Sequence, residues 1–480
     1  LPLLEESLKR CKAILGDNDP DTLKVMNNLA VGYRAAGKLD LALPLFEEVV
    51  KLQKSNPGGD HQKTLLFMNN LAMAYFDLSN FGKAIPLLEQ TLEQQIAYLG
   101  EDHPDSLTSM SNLAIAYNSV GQFGQGIPLL EKALDLVKSV QGDGHPDSAE
   151  MMGRLALAYQ GAGDPDKALP LLEKSLELLI ADLGSNHPRT ILIMNKLATV
   201  YMAVGEYAKG LELAERSSDL MRARLGEDHP QTLTTMNDLA ASFWRMKRLD
   251  KSVPLFEEVL KRQEHKLGRH NRETQLTVFN LGVNYKDAGL LDKALPFLRE
   301  GYRSMKNDLD YAQMGTHLIE VYVKQGEPTK AEAVAKELME NVCPRHPTDS
   351  PNRAFLLAGL GRTYYLPAEA YNDAESVLRE CLAIREATTP GQWTTFETQS
   401  MLGEALMGQK KYAEAESLML DGYQGLEKCR KLVPPIAENR MTDCLLRLVK
   451  LYETWEIDEP NADHGDSANL WRNQLESLNK

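Results

Sequence analysis

The chain has 480 residues, with 53 Lys and Arg against 68 Asp and Glu for a formal charge of −15, and its length suits two to four domains of about 100–200 residues each. A field of that sign opposes a phosphate backbone, which needs a basic face to displace its counterions, so no nucleic-acid partner is expected. Apolar residues at 43% and charged residues at 25% are ordinary for a folded chain, and no apolar run approaches the roughly 18–20 residues of a membrane span, so no membrane insertion is expected either.

The opening stretch, Leu1 to Gly16, is amphipathic and charged throughout, unlike a signal peptide. Leu1-Pro2-Leu3 matches Leu43-Pro44-Leu45 in the next unit, so the chain reads as opening inside the second helix of a repeat, as a fragment of something longer would. From there the sequence repeats. Leu29, Leu71, Leu113, Leu155, Leu197, Leu239 and Leu281 are spaced by 42 residues, and the series runs on less regularly through Leu318, Leu360, Leu402 and Leu448. Glycines from Gly16 through Gly58 to Gly268 and methionines from Met26 to Met236 keep the same period.

Each unit reads as two helices. The first, from Asp105 in one copy, places Leu107, Met110, Leu113, Ala114 and Tyr117 on one face, and it stops at Gly121, which suits the left-handed conformation after a helix end. The second places Ile127, Leu130, Ala133, Leu134 and Val137 on one face and ends at Gly142. Pro44, Pro86, Pro128, Pro170, Pro254 and Pro296 fall near the start of each second helix, where a missing N–H does least damage. Ala42, Ala84, Gly126, Ala168, Gly210, Ser252 and Ala294 form a small-residue column that lets the two helices of a unit approach closely. Period-2 runs and Asn-Gly hairpin turns are missing. Neither helix can bury its stripe alone, so the units must stack. The expectation is an all-α, right-handed α-solenoid of helix-turn-helix units, about eleven of them, the first reduced to its second helix.

The run Asn69 to Gln94, with Leu-Ala-x-x-Tyr followed by Gly82-Lys83-Ala84, resembles the tetratricopeptide repeat. The 42-residue period and the connector Leu99 to Leu107 resemble its kinesin-light-chain subclass. The likeness divides the chain into a regular array over 1–304 and divergent repeats with capping helices over 305–480. The tail, Pro434 to Glu456 with Ala468 to Leu478, is similar to the ends of repeat regions in large bacterial serine/threonine kinases of the planctomycete type.

No catalytic residue, cofactor or metal is expected. Gly121 to Gly126 joins two helices and follows no strand, so it is no dinucleotide fingerprint. The phosphate-loop, zinc-protease, nucleophile-elbow and kinase signatures are missing from the chain. The five cysteines are sparse, odd in number and form no C-x-x-C pair, as in a reducing, cytoplasmic compartment. Cys343 and His346 make an isolated C-x-x-H, short of the four ligands of a structural zinc. His61, His103, His145, His187 and His229 recur too far apart to share one ion, and they read as caps of the first helices. The Met column reads as core. Glu47, Glu89, Glu131, Glu173, Glu215 and Glu257 read as a solvated or inter-repeat ion-pair stripe.

One column points to recognition. Asn28, Asn70, Asn112, Arg154, Lys196, Asp238, Asn280 and His317 immediately precede the repeat leucines, and Asn27, Asn69, Asn195 and Asn237 stand one residue earlier. The resemblance places these positions on a concave groove, where amides hold a peptide backbone and basic heads hold carboxylates. An amide carries both donors and an acceptor, so it can pair with a backbone of any sequence. The candidate partner-binding residues are Asn28, Asn69, Asn70, Asn112, Arg154, Asn195, Lys196, Asn237 and Asn280, with Phe76, Asn118, Trp244, Arg245 and Lys286 further along the same helices. Alternatively, the amides bridge adjacent helices, and Arg154 pairs with Glu150 one turn before it. The expected function is a non-catalytic scaffold for a protein or peptide partner, with a structural self-association module as the alternative.

Overall fold

The computed structural model describes residues 1–55, 60–304, 311–460 and 464–478; Gly58 of the glycine column lies outside them. The described residues form twenty-three α-helices and no strand. In chain order these are α1 (Pro2–Leu15), α2 (Pro20–Ala35), α3 (Leu39–Ser55), α4 (His61–Asp77), α5 (Phe81–Leu99), α6 (Pro104–Ser119), α7 (Phe123–Gln141), α8 (Pro146–Gly161), α9 (Pro165–Leu183), α10 (Pro188–Ala203), α11 (Tyr207–Leu225) and α12 (Pro230–Arg245). They continue with α13 (Leu249–Leu267), α14 (Arg272–Asp287), α15 (Leu291–Ser304), α16 (Tyr311–Lys324), α17 (Pro328–Glu337), α18 (Pro351–Leu360), α19 (Tyr371–Thr388), α20 (Trp393–Gly408), α21 (Tyr412–Lys428), α22 (Asn439–Asp458) and α23 (His464–Leu478).

Contacts divide the chain into two compact units. The first is Leu1–Gly161 with Pro170–Gly184, and the second is Ala162–Leu169 with Ser185–Lys480. Inside the first unit, α1 to α7 each pack on the next helix in the chain, and α2, α4, α6 and α8 also touch in series. Inside the second, α10 to α16 do the same, and α10, α12, α14 and α16 touch in series. The buried stripe is the one the periodicity marks: Met26, Met68, Met110, Met152, Met194 and Met236 are all at most 4% exposed. The small-residue column does what its size predicts. A Cβ built on Gly126 would stand 2.6 Å from Asn118 Cγ and 2.8 Å from the Ala114 carbonyl oxygen, so α6 and α7 meet almost backbone to side chain.

The helix starts follow the residue before proline. His103, His187 and His229 sit in extended conformation and each accepts, through Nδ1, the backbone N–H two residues on, at 3.1–3.2 Å. Asp19 and Asn271 serve α2 and α14 in the same way. His61 differs from the expectation. Gln62 stands where its counterparts have proline, so α4 begins one residue earlier, at His61 itself, and Asp60 caps it through the Lys63 N–H. The helical prolines also depart from expectation. Pro44, Pro86 and Pro128 are the sixth residues of α3, α5 and α7, beyond the four N–H groups that a helix start leaves unpaired. Each gives up one helical hydrogen bond, and each lies on the exposed side, where water can take the released carbonyl.

Glu47, Glu89, Glu131 and Glu257 of the glutamate column accept a tyrosine phenol in place of an ion pair. Tyr33 donates its phenol proton to Glu5 at 2.7 Å, Tyr75 to Glu47 at 2.5 Å and Tyr285 to Glu257 at 2.5 Å. Tyr117 and Tyr159 make the same bond to Glu89 and Glu131. The offset is 28 residues every time, joining a second helix to the first helix of the next repeat. Burial, reinforced by the hydrogen bond to the carboxylate, pushes the pKa of Tyr75, Tyr117 and Tyr285 up to about 12. The folded value exceeds the unfolded value of about 10. The contribution to stability is therefore complete below pH 10 and is lost as pH climbs from 10 to 12. Phe243 interrupts the series, so Glu215 meets a phenyl position where its counterparts have a phenol.

Tyr117→Phe should lower the free energy of urea unfolding by about 0.5–1.5 kcal/mol and shrink the loss of stability between pH 10 and 12, while Phe243→Tyr should raise stability by a similar amount. Equal stability of all three chains across that range would show that the bonds contribute nothing net. His103→Ala should cost about 1 kcal/mol in the same assay and His103→Asn far less, since asparagine caps equally well; equal losses would assign the effect to packing of the imidazole.

Candidate partner-binding face

In the first unit, the asparagine pairs form a ladder from one first helix to the next. Asn70 Nδ2 donates to Asn27 Oδ1 at 3.1 Å, and Asn112 Nδ2 donates to Asn69 Oδ1 at 3.2 Å. Arg154 Nη1 extends the ladder to Ser111 Oγ at 2.7 Å. The donor is always 43 residues after the acceptor, one full repeat plus the step between the two members of the pair. Asn69 is buried in the seam, and its oxygen also accepts from Ser109 Oγ at 3.1 Å. Asn28 is exposed, while Asn70 and Asn112 are half-buried with one N–H engaged. Arg154 also pairs with Glu150, Nη2 to Oε1 at 2.9 Å, so the bond expected on the bridging account is present. Ser111, Glu150 and Arg154 line a pocket of about 230 Å³ floored by Leu107, Val137 and Met151.

The second unit carries charge where the first carries amides. Asn195 is buried; it donates to Asp238 Oδ2 at 2.6 Å and accepts from Ser217 at 3.2 Å. Asn237 accepts from Thr277 at 3.1 Å, and Asn280 contributes its backbone carbonyl to Asn284 at 2.8 Å. Lys196 is half-buried on α10. Two positions expected to be open are turned inward. Lys286 is buried, with Nζ 2.7 Å from both Asp287 and Glu320, and in the first unit Asn118 faces the seam with α7. Trp244 Nε1 donates to Asp287 at 2.7 Å, and Phe76 packs edge-on against Phe81.

Further along, Arg362 donates to the buried Glu397 at 2.9 Å and Arg440 Nε lies 3.1 Å from the same oxygen. Arg447 bonds Glu404 at 2.6 Å. Burial drives the His317 pKa down to about 4, with Lys286 adding to the effect, so this member of the column is neutral at pH 7. Burial alone would raise the carboxyls of Glu320 and Glu397. Lys286 overrides it at the first and Arg362 with Arg440 at the second, bringing both down to about 2. Arg362, Glu404, Arg440 and Arg447, with Asp443 and Lys450, border a polar cavity of about 510 Å³.

Among the described residues, no group of three or more His, Cys, Asp or Glu side chains could hold a metal ion, and no helix is long and apolar enough to cross a membrane. Their cysteines are all unpaired.

The tetratricopeptide repeat model matches residues 1–55, 63–125, 114–181 and 189–265, more than half of the chain. The chain belongs to the tetratricopeptide repeat family. No curated protein matches it. Among solved structures, it is similar to the nearly identical repeats of a putative kinesin light chain from Podosopora anserina, at 29% identity over 43% of this chain and 97% of that one, TM-score 0.37. BtubC (BKLC) from P. vanneervenii is 21% identical over 45% of this chain and 89% of its own, TM-score 0.39. A Rap protein complexed with competence and sporulation factor is 14% identical over 86% of this chain and 99% of its own, TM-score 0.49.

Reading single columns missed the charged network of this repeat protein. A pairwise signal was present: Arg34–Asp77, Trp244–Asp287 and Glu404–Arg447 are all 43 residues apart, like the asparagine ladder. Glu397→Gln should destabilise the chain by about 3–5 kcal/mol at pH 7, because Arg362 and Arg440 lose their buried countercharge. The folded pKa of Glu397 lies below its ordinary value of 4.5, so its contribution is full above pH 4.5 and is lost as pH falls toward 2. The variant should therefore lose less stability than the parent across that window. A parallel acid limb in thermal melts would contradict the assignment.

Proposed function

We propose that the chain is a non-catalytic scaffold that holds an extended protein segment along the face of its first helices, with Asn28, Asn70, Asn112, Arg154, Lys196, Asn237 and Asn280 as the contact set and the buried Asn69 and Asn195 as their supports. The observation that carries this reading is the half-spent amide. Asn70 and Asn112 each use one N–H on the preceding repeat, which fixes the rotamer and leaves the amide oxygen and the second N–H for a backbone. Amides already held in place lose little entropy on binding. Family membership supports the reading, since repeats of this kind are protein-interaction modules. Asn69 and Asn195 act through the helix seam, setting the angle of their neighbours. Basic heads at Arg154 and Lys196 favour a partner with acidic side chains or a C-terminal carboxylate.

The likeness of the tail to kinase-linked repeat regions supports a place as the recognition arm of a larger cytoplasmic signalling protein such as a serine/threonine kinase. In it, the regular array over 1–304 binds and the divergent repeats over 305–480 close the stack. The test is a display selection of random extended peptides on the chain, followed by titration of the selected peptide. Arg154→Glu with Lys196→Glu should weaken an acidic peptide at least tenfold, about 1.4 kcal/mol, with helicity and melting temperature nearly unchanged. Binding that survives, or a fold that fails, would make these two residues structural. Concentration-dependent sedimentation with no selectable peptide would favour self-association.

A further inference from the structure

The turns between first and second helices recur once per repeat, and their surroundings differ. Gly289 and Gly326, both in the left-handed region at φ +76° and +72°, would meet nothing within 4 Å if given a Cβ. Gly205 and Gly163 are different. A Cβ on Gly205 (φ +81°) would stand 3.1 Å from the Lys431 carbonyl carbon and 3.7 Å from the Leu432 nitrogen, and one on Gly163 (φ +83°) would stand 2.6 Å from Thr389 Cγ2. All of these residues belong to the second unit. Gly163 and Gly205 stand one repeat apart, and so do Thr389 and Lys431, so two successive turns meet two successive later loops in one register. The next turn, at Lys247, borders a pocket of about 440 Å³ with Arg430, Pro435 and Glu438, and α12 touches the Pro435–Ala437 turn. One edge of the second unit is therefore seated on its other edge along three consecutive repeats.

We infer that these contacts are a clasp. With the edges joined, the charged inner face bearing Asp238, Asn280 and Glu320 is shut to a segment laid in from the side. It admits a chain end entering along the axis, unless the clasp parts. The inference rests on the proposed function for what enters, but not for the clasp itself. At Gly163 and Gly205 the left-handed backbone favours glycine, as at every such turn, although Lys247 adopts it at φ +57°. The close approach in addition leaves no room for a Cβ. The turns at Gly289 and Gly326 share the first feature only, which supplies a matched control.

The test reads access without a biological partner. In a Cys11→Ser background, Asn280→Cys is reacted with N-ethylmaleimide and with a maleimide held on a short arm by a folded carrier protein, and Lys261→Cys on exposed α13 is the reference site. The carrier reagent should lag the small one roughly tenfold more at position 280 than at 261, about 1.4 kcal/mol of added barrier. Gly163→Ala with Gly205→Ala should abolish the lag, and Gly289→Ala with Gly326→Ala, equally strained, should keep it. Equal ratios at the two sites in the parent, or a lag that persists in a folded Gly163→Ala/Gly205→Ala chain, would overturn the clasp. If that variant does not fold, spin labels on the exposed Lys209 and Lys428 of the parent decide. A single short distance supports the clasp, and a broad or long distribution removes it. Loss of peptide selection with the lag intact would sink the binding proposal alone.

Discussion

The first helices of this protein depend on the repeat before them for more than apolar contact. A neighbour completes the buried face, a tyrosine reaches back 28 residues to a glutamate, and polar residues reach back 43 to an amide, a hydroxyl or a carboxylate. Hydrophobic burial alone is non-directional and would let one helix slide on another. The hydrogen bonds fix register, because each is made at one offset only. The stack is thus fixed in register by its own side chains, and the same bonds that hold the first helices together also orient the amides and guanidiniums between them.

The two units solve the same problem with different chemistry. In the first, neutral amides supply two of the rungs between first helices, beside the Arg34–Asp77 pair and the Arg154 rung. In the second, charged side chains bridge neighbouring helices, and Glu397 is tolerated inside because two guanidiniums stand against it. Removing one member of an amide ladder leaves a neutral amide with one bond unmade. Removing one member of the charged network leaves an uncompensated ion.

Much of this was legible before any coordinates. The leucine, methionine, small-residue and glycine columns located the helices, their buried faces and their ends. The histidines read correctly as caps wherever proline follows, and failed at His61 because Gln62 lets the helix start early. The tyrosine–glutamate bonds escaped because each column is informative only when paired with the other. The network around Glu397 escaped because its bonds, 35 residues to Arg362 and 43 to Arg440, join different columns, so no single column shows them. The later repeats also carry π-helical turns at Leu338–Val342 and Gly361–Tyr365, where an extra residue is absorbed inside a helix.

The fixed offsets bear on how such a chain can change its length. Inserting or deleting one whole repeat preserves both the tyrosine–glutamate and the ladder partnerships on either side of the change. Any other insertion inside the regular array breaks several of them at once. Gene duplication in whole units is then the cheap route to a longer array, and point-by-point growth is costly. The later half shows what the costly route leaves behind. There the Arg447–Glu404 bond keeps the 43-residue offset of the ladder, while Tyr452 bonds Glu416 across 36 residues where the tyrosine–glutamate bonds of the regular array span 28.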